Sequence, residues 1–343
     1  MKIALDAMGG DNAPDALVEG GLIASNQCKG EVEVVFVGDL ERIEEVIKRN
    51  QQLADKARYS IVHASQVVEM DESPAIAIKK KPDASIFVAQ KLQKEGKVDA
   101  VVSAGSTGAA MASALLTLGR LKGVHRPAIG TFVPHEDDFT FLIDVGANVD
   151  SKPRNLVEFA IMGSIFTSKI MGKPRPKVAL LSIGEEKKKG NELTLQVHAE
   201  LSQSKLNFIG NVEGNDILNS EANVIVCDGF VGNILLKFAE NLYEVLREQI
   251  KRNVRGSKIA MMGAFLMTRV FKIIKKTWDY EEYGGVPLLG INGVVIISHG
   301  RSTAKAISNA ILEAREMVDK KINEIIQQEL ENQRGMEIVS ENA

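Results

Sequence analysis

The strongest constraint in this chain is a regular alternation. Short runs dense in Val, Ile and Ala recur along its length, each leading through a loop into a longer stretch with helical spacing. The runs fall at 2–5, 33–37, 59–62, 99–103, 128–132, 141–144, 178–182, 207–209, 224–227 and 294–297. Most lack period-two alternation, so both faces of each strand are covered, the mark of a mainly parallel sheet. Helical patterns fill the intervals at 13–27, 40–53, 84–95, 109–118, 155–171, 192–202, 234–252, 257–276 and 303–328. Strand–helix–strand order with right-handed crossovers predicts a doubly wound α/β fold. No fixed-period repeat and no Pro/Ser-rich linker divides the chain. Residues 1–330 therefore read as one α/β domain, with 331–343 a frayed C-terminal tail.

Composition narrows the class further. With 45% apolar and 25% charged residues over 343 positions, the chain is neither disordered nor fibrous. Its two cysteines, Cys28 and Cys227, make no disulfide framework and suggest a reducing compartment, the cytoplasm. Asp6 follows directly on Ile3, Ala4 and Leu5, which argues against a signal peptide. No apolar run approaches the length of a membrane span.

Glycines gather where strands end, in DAMGGD (6–11), SAGSTGA (103–109), DVGANVD (144–150), SIGEEKKKG (182–190), CDGFVGN (227–233) and SHGRST (298–303). Ligands of doubly wound sheets sit outside the carboxyl ends of the strands. Helix N-termini there offer unpaired N–H groups to an anion. Several chemistries are excluded. No G-x-G-x-x-G follows the first strand, and Asn191 stands where a P-loop needs Lys. There is no H-E-x-x-H, no Cys/His zinc spacing and no G-x-S-x-G elbow. No metal or other cofactor is expected.

What remains suits an oxyanion. Ser103, Gly105, Ser106 and Thr107 combine hydroxyls and backbone donors at a helix start, although Ser106 or Thr107 could equally be a helix cap. Asp6, Gly9 and Gly10 form the first glycine loop. Lys188 and Lys189, with Lys187, either neutralise an anionic ligand or form a solvated charge run. His299 is the candidate for acid–base work near neutral pH, with a capping role as the alternative. Asp228 and Asn233 flank another glycine loop, and Cys227 before them reads as a buried thiol rather than a nucleophile.

Charge is unevenly spread. Between Arg247 and Lys276 stand nine Lys or Arg and one acid, so this stretch carries +8 in a chain of net charge −3. The overall balance argues against a nucleic-acid partner. Met262, Phe265 and Leu266 recur on an apolar face bordered by Arg269, Lys272 and Lys275, an interfacial pattern. Three readings stay open: membrane contact, docking of an acidic protein, or the solvated side of a core helix. The apolar stripe of 234–252 predicts that the segment at about 234–277 projects as a helical pair and forms a dimer interface.

The loops, taken with GNELT (190–194), FIGNVEG (208–214) and YGGVPLLGINGVVIISHG (283–300), resemble the bacterial acyl-carrier-protein:phosphate acyltransferases, the PlsX family. The likeness runs in order from Lys2 to about Lys320. It implies a fold like the isocitrate/isopropylmalate dehydrogenases and phosphotransacetylase. It also implies transfer of a fatty acyl group from an acyl carrier protein thioester to inorganic phosphate, giving acyl phosphate for phospholipid synthesis. A homodimer, no metal and peripheral membrane association follow from the same likeness. In that mechanism the Ser103–Thr107 loop holds phosphate, Asn148, Asn233 or a lysine of 187–189 holds the oxyanion, and His299 or Asp228 moves the proton. The alternative is an NAD(P)-dependent oxidoreductase of the isocitrate dehydrogenase type, which would want a metal-binding Asp cluster and more loop arginines than Arg126, Arg154 and Arg301.

Overall fold

The structure, a computed structural model of the chain, describes all residues except 71, 136–137, 279–283 and 342–343, and the side chains of 75, 135, 274–278 and 333–341 also lie outside the described set. Eleven strands form one sheet: β1 (Lys2–Asp6), β2 (Glu33–Gly38), β3 (Tyr59–His63), β4 (Ala100–Ser103), β5 (Ala128–His135), β6 (Asp138–Ile143), β7 (Lys177–Leu181), β8 (Asn207–Val212), β9 (Val224–Val226), β10 (Val286–Leu289) and β11 (Val294–Ile297). The helices are α1 (Asp15–Gln27), α2 (Leu40–Arg49), α3 (Gln51–Ala54), α4 (Pro74–Lys80), α5 (Ser85–Lys94), α6 (Thr107–Thr117), α7 (Pro153–Ile170), α8 (Glu192–Gln203), α9 (Gly229–Arg255), α10 (Lys258–Leu266), α11 (Thr268–Trp278), α12 (Ala304–Asp319) and α13 (Ile322–Glu341).

The strand order is β3-β2-β1-β4-β11-β10-β5-β6-β9-β7-β8. Pairing is parallel except where β10 meets β11 and β5, and where β5 meets β6. The sheet is thus mixed but mainly parallel, as the unbroken apolar runs require. β1, β2, β4, β9 and β11 are buried along nearly their whole length, and apolar clusters lie on both faces.

The three antiparallel junctions reverse the sheet. β10 starts beside the end of β11 and ends beside the start of β5, and the start of β5 lies beside the end of β6. The strands β6, β9, β7 and β8 therefore run opposite to β1, β2, β3, β4 and β11. Their carboxyl ends, and the loops that follow, lie at the other edge of the sheet.

Several expectations are corrected. β10 was not expected: four residues containing Pro287 make a weak strand signal. The 40–53 helix divides at Asn50 into α2 and α3, and the 303–328 helix breaks at Lys320 and Lys321, where Lys321 takes φ 52°. The 257–276 helix divides at Met267 into α10 and α11. The stretch 331–341, read as a frayed tail, continues the backbone of α13. Among the described residues, no helix is long and apolar enough to cross a membrane.

The second half of the sheet packs on an aromatic group from β5, β6 and α7. Phe141 stacks on Phe166 with ring centroids 4.6 Å apart, and Phe132 lies edge-on to Phe141 at 5.5 Å. Gly130 is the only residue that fits its position, because a Cβ there would lie 2.0 Å from the Phe141 ring. Phe166→Ala should cost about 3–5 kcal/mol of stability through the cavity it leaves. A urea midpoint within experimental error of the parent would contradict this packing account.

Candidate active site

Each half of the sheet ends in a strand whose last residues deliver an aspartate into the protein. Asp6 closes β1 and is buried. Its carboxyl accepts hydrogen bonds from Ser85 Oγ at 2.5 Å, Ser103 Oγ at 2.6 Å and the Met8 N–H at 3.3 Å. Burial raises its pKa above the ordinary aspartate value of 3.8, and these donors oppose the rise. Ser103 Oγ also accepts from the Gly105 N–H at 3.1 Å. The loops after β1 and β4 press together here. A Cβ on Gly9 would lie 2.6 Å from the Asp6 carboxyl and 2.8 Å from the Gly105 nitrogen. Gly10 takes φ 100° against the carbonyls of Ala104 and Gly300.

The loop after β11 completes this first group. The Asp11 N–H donates to Gly300 O at 2.7 Å, and Asn12 Nδ2 donates to Arg301 O and Ser302 O. His299 is exposed, and its Nδ1 accepts the Arg301 N–H at 3.1 Å. In the neutral ring that acceptor role puts the proton on Nε2. Ser106 caps α6, with Oγ accepting from the Ala109 N–H at 3.5 Å, and Thr107 is exposed on its first turn. A narrow pocket opens over Asp6, Gly9, Ser85, Ser103, Gly105 and Ser106.

The second group lies at the other edge. Asp144, immediately after β6, is wholly buried and accepts five hydrogen bonds: from the N–H groups of Ile129, Gly146, Ala147 and Asn148, and from Asn148 Nδ2 at 2.9 Å. Burial again raises its pKa, and the donors oppose that. Asp228 caps α9, with one oxygen accepting from the N–H groups of Phe230 and Val231 at 3.0 Å. A Cβ on Gly232 would lie 1.9 Å from Asp144 O, so α9 approaches the loop only through glycine. Asn233 is exposed beside Gly146. Lys188 and Lys189 are exposed on the loop after β7, at this same edge, without an ion-pair partner among the described residues.

The expected constellation is therefore divided. Asp6, Gly9, Gly10, Ser103, Gly105, Ser106, Thr107 and His299 come together. Asn148, Asp228, Asn233, Lys188 and Lys189 gather at the opposite edge, with the eleven residues of α6, roughly 16 Å, indicating the depth between. Two roles need revision. Asn148 already donates its amide protons, to Pro127 O at 2.7 Å and to Asp144, so it is not a spare oxyanion donor. The Ser103 hydroxyl donates to Asp6, so it positions the loop instead of offering that proton to a ligand. Cys227 is buried, with its thiol pKa pushed well up by burial and by the nearby Asp144 and Asp228, which agrees with an inert thiol. Sequence reasoning passed over Asp144 and Ser85. Asp144 had a signal, since it opens DVGAN as Asp6 opens DAMGGD. Ser85, at the start of α5, had none.

Solved structures similar in fold include phosphotransacetylases. A phosphotransacetylase from Streptococcus pyogenes superposes with TM-score 0.61 at 19% identity, covering 93% of this chain and 94% of that one. A branched-chain phosphotransacylase from Enterococcus faecalis V583 gives TM-score 0.57 at 15% identity, covering 93% and 99%. These likenesses define the fold: the mixed α/β sheet is that of the phosphotransacetylases. Residues 1–325 match the family described as fatty acid synthesis protein. The phosphate acyltransferase of Heliobacterium modesticaldum is 51% identical over 330 residues, 96% of this chain and 98% of that one. That of Dictyoglomus turgidum is 48% identical over 328 residues, 95% and 96%. The chain belongs to the phosphate acyltransferase family of fatty acid synthesis and is a phosphate acyltransferase, which displaces the oxidoreductase alternative.

The raised pKa of Asp6 has a sign that can be checked. A carboxyl whose pKa is raised in the folded state contributes stability at low pH that is lost as pH climbs through the raised value. Asp6→Asn removes this loss. The stability of the parent relative to the variant should fall as pH rises from about 3.8 upward, in paired urea titrations. A difference independent of pH would show that the donors balance burial, and one of opposite slope that they outweigh it; either contradicts the raised pKa.

Proposed function

We propose that this enzyme moves a fatty acyl group from the thioester of acyl carrier protein to inorganic phosphate, yielding acyl phosphate for phospholipid synthesis, on a scaffold of the isocitrate/isopropylmalate dehydrogenase type. The observation that carries the reading is the first loop group. The opening turn of α6 presents unpaired N–H groups and the Ser106 and Thr107 hydroxyls beside a narrow pocket floored by glycine. Asp6, the carboxyl that lines this pocket, is buried and accepts the Ser85 and Ser103 hydroxyls, which lie between it and the rest of the loop group.

Phosphate bound at that turn is itself the nucleophile. Its oxygen attacks the thioester carbonyl, the tetrahedral oxyanion collapses, and the thiolate leaves. No acyl-enzyme is needed, and holding two substrates in line supplies much of the rate. His299, exposed on the loop after β11, is assigned proton movement and stabilisation of charge on the leaving sulfur. Its Nδ1 is fixed by the Arg301 N–H, which sets the ring orientation.

Asn233, Lys188, Lys189 and Asp228 belong to the other edge. A two-fold homodimer is the arrangement that allows both groups to serve one reaction centre. Helix α9 supports association: Phe238, Leu242, Val245, Leu246 and Ile250 are all exposed in the single chain. Peripheral contact of this cytoplasmic protein with anionic membrane rests on α10 and α11. Phe265 and Leu266 are each 78% exposed and Met262 is exposed, with Arg269 and Lys272 exposed further along. The Lys275 side chain lies outside the described residues. Each basic residue near an anionic leaflet contributes about 1 kcal/mol. The acidic carrier protein is the rival occupant of this surface.

Incubating the protein with palmitoyl carrier protein, with and without phosphate, should give acyl phosphate only with phosphate. Free thiol released equally in both would reject the reading. Thr107→Val should raise the phosphate KM about tenfold or more, leaving the thioester KM unchanged. His299→Gln should lower turnover about 10²–10⁴-fold, whereas a variant within twofold of the parent returns His299 to a structural role. Leu266→Glu should abolish co-sedimentation with anionic vesicles while soluble turnover persists. Normal vesicle binding by that variant would reject apolar insertion.

A further inference from the structure

A groove of about 170 Å³ opens where α7 ends, between the 174–176 connection and the start of β8. It lies at the opposite ends of β7 and β8 from the Lys188 loop, and β10, β5, β6 and β9 separate it from the first loop group. Lys169, Arg175 and Lys205 line it, with the Ser164 and Ser168 hydroxyls, while Ile165 and Leu206 contribute apolar surface.

The pairing of charges sets this groove apart. Just outside it, Lys173 is bound to Asp138, Lys177 to Glu221, and Lys320 to Glu316. The three cations that line the groove have no acidic partner among the described residues. Asn207 Nδ2 donates to Arg175 O at 3.2 Å and Lys320 Nζ donates to Lys169 O at 2.6 Å, which ties down the backbone at two of the three. Uncompensated like charges converging on a concave surface repel one another and concentrate anions. Arg175 offers a planar fork for phosphate oxygens, and the serines add neutral donors. The apolar wall of Ile165 and Leu206 is more than a bare phosphate ion needs.

We infer that this groove is a second anion site, distinct from the substrate loops, which takes a phosphate group carried on an apolar body. A soluble phosphate ester and an anionic lipid headgroup share that chemistry, and the test separates them. Phenyl phosphate is titrated calorimetrically into the full-length protein, into the triple variant Lys169→Ser, Arg175→Ser, Lys205→Ser, and into Thr107→Val. Saturable binding should persist in Thr107→Val and weaken at least about tenfold in the triple variant, whose own circular dichroism and turnover should match the parent. That result assigns a soluble ester. Phosphatidylglycerol vesicles form the second arm: co-sedimentation lost in the triple variant, without saturable phenyl phosphate binding to the parent, assigns a headgroup. Identical behaviour of parent and triple variant in both arms overturns the inference. So does attraction that never saturates with phenyl phosphate when vesicle co-sedimentation is also unchanged in the triple variant. The single variant Lys169→Arg should retain binding; its loss with a folded protein would also count against a phosphate site.

Discussion

The Asp6 and Asp144 carboxyls are each taken out of water at the end of a strand and surrounded by neutral donors instead of cations. A buried carboxyl without hydrogen bonds costs several kcal/mol, and more if charged. The loops that supply those donors are therefore held closed. Ser103 and Ser85 come from β4 and α5, so Asp6 ties together three segments distant in sequence. Asp144 ties the 144–148 loop to the start of β5. The close approaches at Gly9 and Gly232 follow from this geometry, since a side chain at either place would push a loop away from its aspartate.

The short β10 does as much for the architecture as any helix. It runs antiparallel to both neighbours, so β5 keeps the direction of β11, and the antiparallel pairing of β5 with β6 then sets β6, β9, β7 and β8 running the opposite way. Loops that look equivalent along the chain are thereby sorted into two groups. Each has a buried aspartate at its root and a helix beginning above it. The exposed groups differ: Thr107 and His299 in one, lysines and Asn233 in the other.

The alternation of apolar runs with helical spacing was enough to read the α/β class and ten of the eleven strands from the chain. It could not reveal the reversal, because an apolar run carries no direction: the half-sheet turns where β6 pairs antiparallel with β5, and β10, which seats β5 beside β11, includes a proline and lacks a recognisable pattern. Six glycine loops were visible in the sequence, yet their grouping depends on that same reversal. The roles of Ser103 and Asn148 were misread for another reason. A serine or asparagine in a glycine loop looks alike whether it faces a ligand or a buried carboxyl, and only the location of Asp6 and Asp144 decides. Helix breaks at Asn50, Met267 and Lys321 were equally hidden, since apolar spacing continues across them.

The reversal also shapes the field around the molecule. Helices α1, α6 and α12 begin at one edge of the sheet, and α7, α8 and α9 begin at the other. Each start carries the positive end of a helix dipole. The two sets oppose, so the backbone behaves more like a quadrupole than a dipole, with positive poles at both edges and cancellation at long range. An incoming anion feels either edge only within about a Debye length, roughly 8 Å at physiological salt. The backbone field thus captures anions locally at two places but does not turn the whole protein toward them from afar.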